Sequence, residues 1–151
     1  MFWYQRTLGV LLACVLAVPV CAFTFSYGSL LEVKDIEQKN GVLLLPLTGK
    51  KYTNVKVLSK TVYDFLQERS IDCTYPVLEK DFSIIESRVA ANRPNMLIAT
   101  VQFNQDILLT VLAFKERQKI TIKFPAVVSF KDKELQAQVQ KAVLEVAQKN
   151  L

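Results

Sequence analysis

Residues 96–130, MLIATVQFNQDILLTVLAFKERQKITIKFPAVVSF, contain three apolar segments separated by two short polar breaks. In residues 96–103 every second side chain, from Leu97 to Phe103, is apolar, which is the period of a half-buried strand. Residues 107–114 hold a single polar side chain, Thr110, and this predicts a central strand covered on both faces. The three segments together predict a three-stranded antiparallel meander.

Two polar breaks and one proline set the limits of the meander strands. Residues 104–106 predict a turn, because short amide and carboxylate side chains hydrogen-bond to their own backbone. Residues 115–118 form the second break. Pro125 removes a backbone donor from the third segment, residues 120–130, so we expect that strand to lie at an edge or to carry a bulge.

The chain around the meander predicts further strands and helices that pack on the same sheet. Apolar patterns predict strands over residues 42–47 and 71–75 and helices over residues 54–69, 81–92 and 133–149. Asn54 can cap the first of these helices, and Asp132 or Lys131 begins the last. The predicted fold is α+β in one domain, residues 42–151: a mixed sheet of about five strands in the order β-α-β-α-β-β-β-α, with helices packed on it.

Residues 23–41 predict an N-terminal arm. Phe23, Phe25 and Tyr27 alternate with polar residues, which is typical of a short strand or of an arm that packs on the body. Ser29 and Glu32 have the spacing of a capping box and predict a short helix that stops at Asn40-Gly41. The same Asn-Gly pair could instead turn a hairpin.

The first 22 residues have the pattern of an export leader. One positive charge, Arg6, precedes a nearly pure aliphatic run, and Pro19 breaks that run before Val20-Cys21-Ala22. Small residues close to such a break favour cleavage by signal peptidase after Ala22. The sequence therefore predicts a periplasmic, outer-membrane-associated or secreted protein.

Two alternatives for the leader remain open. Leu11-Leu12-Ala13-Cys14 is similar to a lipobox, in which Cys14 is lipidated and holds the protein at a membrane. Residues 7–27 contain no charge and are long enough to serve as an uncleaved anchor. Each alternative still exports the domain.

Composition argues against several classes of function. The chain has 151 residues, a net charge of +5 and no histidine. The basic excess is spread along the chain, which is unlike a specific nucleic-acid binder. Without histidine the commonest general base and metal ligand are missing, and no spacing of Cys, Asp or Glu matches a metal site. We therefore expect no catalytic residues, no cofactor and no metal, and hence no enzyme.

A few residues could still carry chemistry or contacts. Gly49-Lys50 follows a predicted strand, but it lacks the other residues of a phosphate-binding loop. Asp106 is the one carboxylate beside an apolar run, and a turn explains it. Cys73 alternates with apolar residues and predicts a buried thiol, with a reactive thiol or an intermolecular disulfide as alternatives. Positive charge gathers at one place, which we expect to be a solvated hairpin or a contact for an anion or an acidic partner: Lys115, Arg117, Lys119 and Lys123.

Two segments, VLLLPL at residues 42–47 and NMLIATV at residues 95–101, stand at the start of the predicted element order and at the start of the meander. With that order, they resemble the TolB amino-terminal-domain-like group of bacterial envelope proteins. The resemblance implies a binding domain in envelope assemblies, with no catalytic residue to transfer. We therefore expect a non-enzymatic accessory or structural component of a bacterial envelope complex that acts through contacts with envelope proteins. The alternative is a secreted effector or surface factor that binds a host protein or a polyanion.

Overall fold

The computed structural model describes residues 22–39, 42–44, 47–48, 52–53 and 55–151. Within these residues the chain forms two five-stranded sheets, a two-stranded ribbon and two helices. The strands are β1 (Phe23–Tyr27), β2 (Leu31–Lys39), β3 (Val42–Leu44), β4 (Leu47–Thr48), β5 (Tyr52–Thr53), β6 (Val55–Val57), β7 (Cys73–Tyr75), β8 (Phe82–Ala90), β9 (Arg93–Phe103), β10 (Ile107–Glu116), β11 (Lys119–Lys123) and β12 (Val128–Phe130). The helices are α1 (Lys60–Gln67) and α2 (Lys133–Asn150). The predicted α+β class is confirmed, but the predicted single sheet and its β-α-β-α order are wrong.

The predicted meander forms the centre of the second sheet, whose order is β11-β10-β9-β8. Strand β10 is central as predicted, because β9 pairs with one edge while β6 and then β11 pair with the other. Its side chains alternate between buried and half-buried, so one face meets the core. The period-2 pattern of residues 96–103 therefore identified β9 and its buried face. The expectation that β10 is covered on both faces is not met, because its second face is only half-buried.

The third predicted segment, residues 120–130, is two strands rather than one. Strand β11 stays in the second sheet, whereas β12 pairs with β2 in the first sheet. Pro125 lies between them and is buried, and its carbonyl accepts a hydrogen bond from Val128 N at 3.1 Å. Because proline cannot donate to a ladder, the break at this position lets the chain cross between sheets.

The predicted helix over residues 81–92 is wrong, and β8 stands in its place. Phe82, Ile85 and Val89 have helical spacing, but Phe82 and Ile84 also fit a strand. Pairing with the whole length of β9 decides between the two patterns. A register shift between Ile84 and Glu86 marks a bulge in β8.

The first sheet has the order β12-β2-β1-β7, with β3 on β2. The aromatic arm is therefore an interior strand, β1, and the predicted helix after Ser29 is the hairpin partner β2. Gly28 turns the chain there at φ +55°, and a Cβ at this position would lie 2.8 Å from the Val77 Cβ. Asp35 adopts φ +61° beside a register shift, so Val33 and Ile36 both reach the core from one strand.

The other predicted elements have mixed outcomes. Part of the predicted first strand forms β3, which joins β2 rather than the meander, and Asn54 and Gly49-Lys50 lie outside the described residues. The helix expected over residues 54–69 begins later, where Ser59 Oγ accepts a hydrogen bond from Val62 N at 3.2 Å. Strand β7 and helix α2 are confirmed, with Asp132 as the cap of α2.

A single apolar cluster joins both sheets and both helices. The first sheet contributes the aromatic residues of β1, the second contributes the Leu97 and Leu109 faces of β9 and β10, and the helices add residues such as Leu66 and Val139. Met96 and Ile98, on the opposite face of β9, belong to a separate small cluster. The chain from β1 to α2 is therefore built around one core.

A polar contact at the edge of this core links the two sheets. Tyr27 is fully buried, and its hydroxyl donates a hydrogen bond to Asp106 Oδ2 in the β9–β10 turn. Asn104 Nδ2 donates to the Tyr27 oxygen at 3.2 Å, and it also reaches Glu79 O at 2.7 Å. Burial, together with the bond to Asp106, raises the pKa of Tyr27 above its ordinary value.

We expect Tyr27→Phe to lower the free energy of unfolding by about 1–3 kcal/mol, because Asp106 and Asn104 lose a partner. The effect should depend on pH. The phenol stays protonated in the fold but ionises near pH 10 in the unfolded chain, so its stabilisation is present below about pH 10 and lost above it. Urea unfolding of the original protein and of Tyr27→Phe, each at pH 7 and above pH 10, measures this pH dependence. If the rise in pH lowers the free energy of unfolding of the two proteins equally, the prediction is wrong.

Candidate functional site

The predicted basic turn is the β10–β11 hairpin. Arg117 and Gln118 both adopt positive φ, as a two-residue hairpin turn requires. Three residues of the basic turn are exposed as predicted: Arg117, Lys119 and Lys123. Glu116 lies opposite Lys119 in the ladder of the hairpin. An open depression of about 750 Å³ beside the turn is lined by Glu116, Arg117, Lys119 and Thr121.

Lys115 does not belong to this basic group in space. Its ammonium donates to the Leu151 carbonyl at 3.1 Å and is half-buried at the end of α2. A cation near the last carbonyls of a helix stabilises the helix dipole. Lys115 therefore serves the packing of α2, and three of the four predicted basic residues remain on the surface of the hairpin.

Asp106 is a structural residue of the β9–β10 turn. Its carboxylate binds Tyr27, and its backbone carbonyl accepts a hydrogen bond from Leu58 N at 2.7 Å. The neighbouring cleft of about 400 Å³ is lined by Glu79, Asp81, Phe82, Ser83, Gln102, Asn104 and Gln105. Over the described ranges, no group of three or more Cys, Asp or Glu side chains is placed to hold a metal ion.

The clearest contact surface of the first sheet is the edge at β7. Strand β7 pairs in parallel with β1, and in the described part of the chain its other edge is unpaired. Two large apolar side chains flank it: Ile71 is 74% exposed and Leu78 is 99% exposed. Large apolar side chains beside an unpaired strand are typical of a surface that binds another chain. We name residues 71–78 the β7 edge.

Aromatic contacts hold the β7 edge rigidly on the body. Tyr75 stacks on Tyr27 with ring centroids 6.3 Å apart and contacts Phe65 of α1 edge-on at 5.3 Å. The Arg69 guanidinium lies 4.4 Å from the centre of the Phe65 ring. Asp72 accepts a hydrogen bond from Thr24 N at 2.9 Å. A partner at this edge would therefore meet a preformed strand.

Cys73 lies in the β7 edge and is a half-buried free thiol. The sequence predicts a buried side chain, and the structure places it at the border of the core. Burial raises the pKa of the Cys73 thiol above its ordinary value, although the nearby Arg69 charge partly offsets this. A raised pKa lowers the thiolate fraction and hence the reactivity.

The predicted leader ends where the described fold begins. Ala22 is exposed and directly precedes β1. Cys14, the alternative lipidation site, and most of the alternative anchor lie outside the described residues. A cut after Ala22 would leave every described strand and helix intact. Among the helices described, none has the length and apolar character needed to cross a membrane.

Comparison with known proteins gives no relative for this chain. No protein-family model, no curated protein and no solved structure matches it. The resemblance to the TolB amino-terminal-domain-like group thus stays a prediction.

Sequence reasoning missed the exposed edges at β7 and β8, although it placed the segment that contains β11 at an edge. The second of these is β8, whose exposed apolar residues Ile85 and Val89 would lie on the inner face of the predicted helix. Leu78 and Ile71 carried no signal, since isolated apolar residues in loops are common on protein surfaces. In β8 the apolar residues are visible in the sequence, but they indicate an exposed edge only if the segment is recognised as a strand rather than a helix.

We expect Cys73 in the folded protein to react with iodoacetamide at pH 7.5 at least tenfold more slowly than in the urea-unfolded chain. Burial and the raised pKa both reduce the amount of accessible thiolate. Mass spectrometry of tryptic peptides separates Cys73 from Cys14 and Cys21. Equal rates for Cys73 in the two states would contradict the half-buried position.

Proposed function

We propose that this chain is an exported, non-enzymatic component of a bacterial envelope complex that binds a partner protein through the β7 edge. The observation that carries this proposal is the pair of exposed apolar residues, Ile71 and Leu78, on either side of a strand whose outer edge is unpaired in the described part of the chain. The partner should supply an extended segment with apolar side chains. Such a segment can add a strand to β7 while its side chains cover the two exposed residues.

The leader supports the exported location. A charged start, an aliphatic run and small residues just after the break at Pro19 are what signal peptidase recognises. The exposed position of Ala22, next to the first strand, suits removal of the leader without damage to the fold. The resemblance in residues 42–47 and 95–101 favours an envelope assembly of the TolB-like kind, although the order of elements expected with it is not the observed one.

The composition of the chain supports a binding role rather than catalysis. The sequence lacks histidine, which most acid–base and nucleophilic sites use. Asp106 is engaged with Tyr27, and the Cys73 thiol has a raised pKa. These two residues were the candidates for chemistry in the domain, and both contribute to packing.

We expect the mature protein to begin at Phe23. Intact-mass measurement of the protein recovered from the periplasm gives the position of the cut directly. Replacement of Ala22 by a large residue should block processing, because signal peptidase accepts only small residues at this position. A mature chain that begins at a lipidated Cys14 would contradict this prediction and place the protein on a membrane.

We expect Leu78→Asp and Ile71→Asp to abolish recovery of the partner after crosslinking in intact cells, because a carboxylate cannot be covered by apolar side chains without a large desolvation cost. Both residues are exposed, so stability should change by less than about 0.5 kcal/mol.

Leu58→Asp is the matched control, since Leu58 is 47% exposed but lies beside β6 in the second sheet. It should leave the crosslinked product unchanged. If Leu58→Asp removes the product as completely as Leu78→Asp, or if none of the three substitutions affects it, the β7 edge is not the binding surface.

A further inference from the structure

Strand β8 forms the outer edge of the second sheet. Over the described residues it pairs with β9 alone, and residues 85–89 are all exposed. Two of these exposed side chains are large and apolar, with Ile85 51% and Val89 39% exposed. The backbone groups along this edge can accept a further strand.

The sequence of this edge is complementary to itself. Residues 84–90 read IIESRVA, with Ser87 at the centre. If two copies of the strand pair antiparallel with Ser87 opposite Ser87, then Glu86 of one copy lies opposite Arg88 of the other. Both charged residues lie in the regular part of β8, between the register shifts at Ile84/Glu86 and Val89/Ala90. Opposite charges directly across an antiparallel ladder stabilise the pairing.

The orientation of the charged side chains on β8 is consistent with this register. Glu86 pairs with Thr100 of β9, and Arg88 pairs with Ile98, so both charged side chains point to the same face of the sheet. In the described part of the chain, neither Glu86 nor Arg88 forms an ion pair. A second copy supplies the missing partner for each of them.

We propose that this chain forms a two-fold symmetric homodimer by antiparallel pairing of β8 with β8 of a second copy, centred on Ser87. The dimer carries one continuous sheet of ten strands, which is within the size that open sheets reach. The regular part of the overlap between the two strands is residues 86–89 of each copy, a length of about 13 Å at roughly 3.3 Å per residue. A contact of this size gives a reversible, concentration-dependent dimer. The proposal concerns a different edge from the β7 edge and does not rest on the proposed function.

The opposite edge of the same sheet shows why the charges on β8 are informative. Strand β11 reads KITIK, and antiparallel pairing with its own copy about Thr121 would place Lys119 opposite Lys123. Like charges across a ladder repel, which protects an edge from pairing with itself. Strand β8 carries one charge of each sign around its centre, so the same geometry attracts.

Charge reversal tests the proposed register. In the full-length protein, Glu86→Arg alone or Arg88→Glu alone places like charges opposite each other and should raise the dimer dissociation constant at least tenfold in sedimentation equilibrium. The double variant Glu86→Arg/Arg88→Glu exchanges the two charges and restores both pairs. Its dissociation constant should lie within threefold of that of the original protein.

Restoration by the double variant separates pairing from misfolding, because a second substitution would make a general loss of the fold more severe.

A disulfide at the symmetry axis gives an independent test. The Ser87→Cys variant should form an intermolecular disulfide between its two introduced thiols on mild oxidation, identified by mass spectrometry of the linked peptides. Ser83→Cys is the control and should not link, since its two copies lie eight positions apart along the paired strands.

The proposal is overturned if the original protein is monomeric at all concentrations measured. It is also overturned if the double variant dimerises no better than the single variants, or if the Ser83→Cys variant links as readily as the Ser87→Cys variant. A monomer that takes up an extended peptide from another protein along β8 would likewise replace the second copy as the occupant of this edge.

Discussion

The fold depends on closing one apolar core between two sheets that come from different parts of the chain. Tyr27 lies at the border of that core with no exposed surface, so its hydroxyl must find a partner inside the protein. Asp106 and Asn104 supply that partner from the β9–β10 turn. The same turn also forms hydrogen bonds to the backbone of Leu58 and to Glu79 in the loop before β8. One short polar segment therefore fixes the position of the first sheet, the second sheet and their connections.

The parts of the fold that local pattern controls could be predicted from the sequence. The period-2 alternation of residues 96–103 identified β9, and the apolar run of residues 107–114 identified β10 as a central strand. Helix α2 was predicted with Asp132 or Lys131 at its start, since capping and apolar spacing are also local signals, and the structure selects Asp132. The basic hairpin followed from the polar break, although the contact of Lys115 with Leu151 did not.

The parts that depend on distant partners could not be predicted. Residues 82–90 satisfy both a helical and a strand pattern, and only the pairing with β9 selects the strand. No pattern among neighbouring residues indicates that β12 leaves the meander to join β2, or that β1 joins β7. The candidate surfaces share this limit, because Glu86 and Arg88 become complementary across a two-fold axis only when their segment is extended.

The pairing of β12 with β2 joins two strands that lie about a hundred residues apart in the chain. Until this pairing forms, the edge of β2 at residues 31–33 is open to water, proteases and other chains. Such long-range closure makes folding slow. We therefore expect the first sheet to close later in folding than the hairpins β8–β9 and β9–β10 of the second sheet, whose strands are neighbours in the chain.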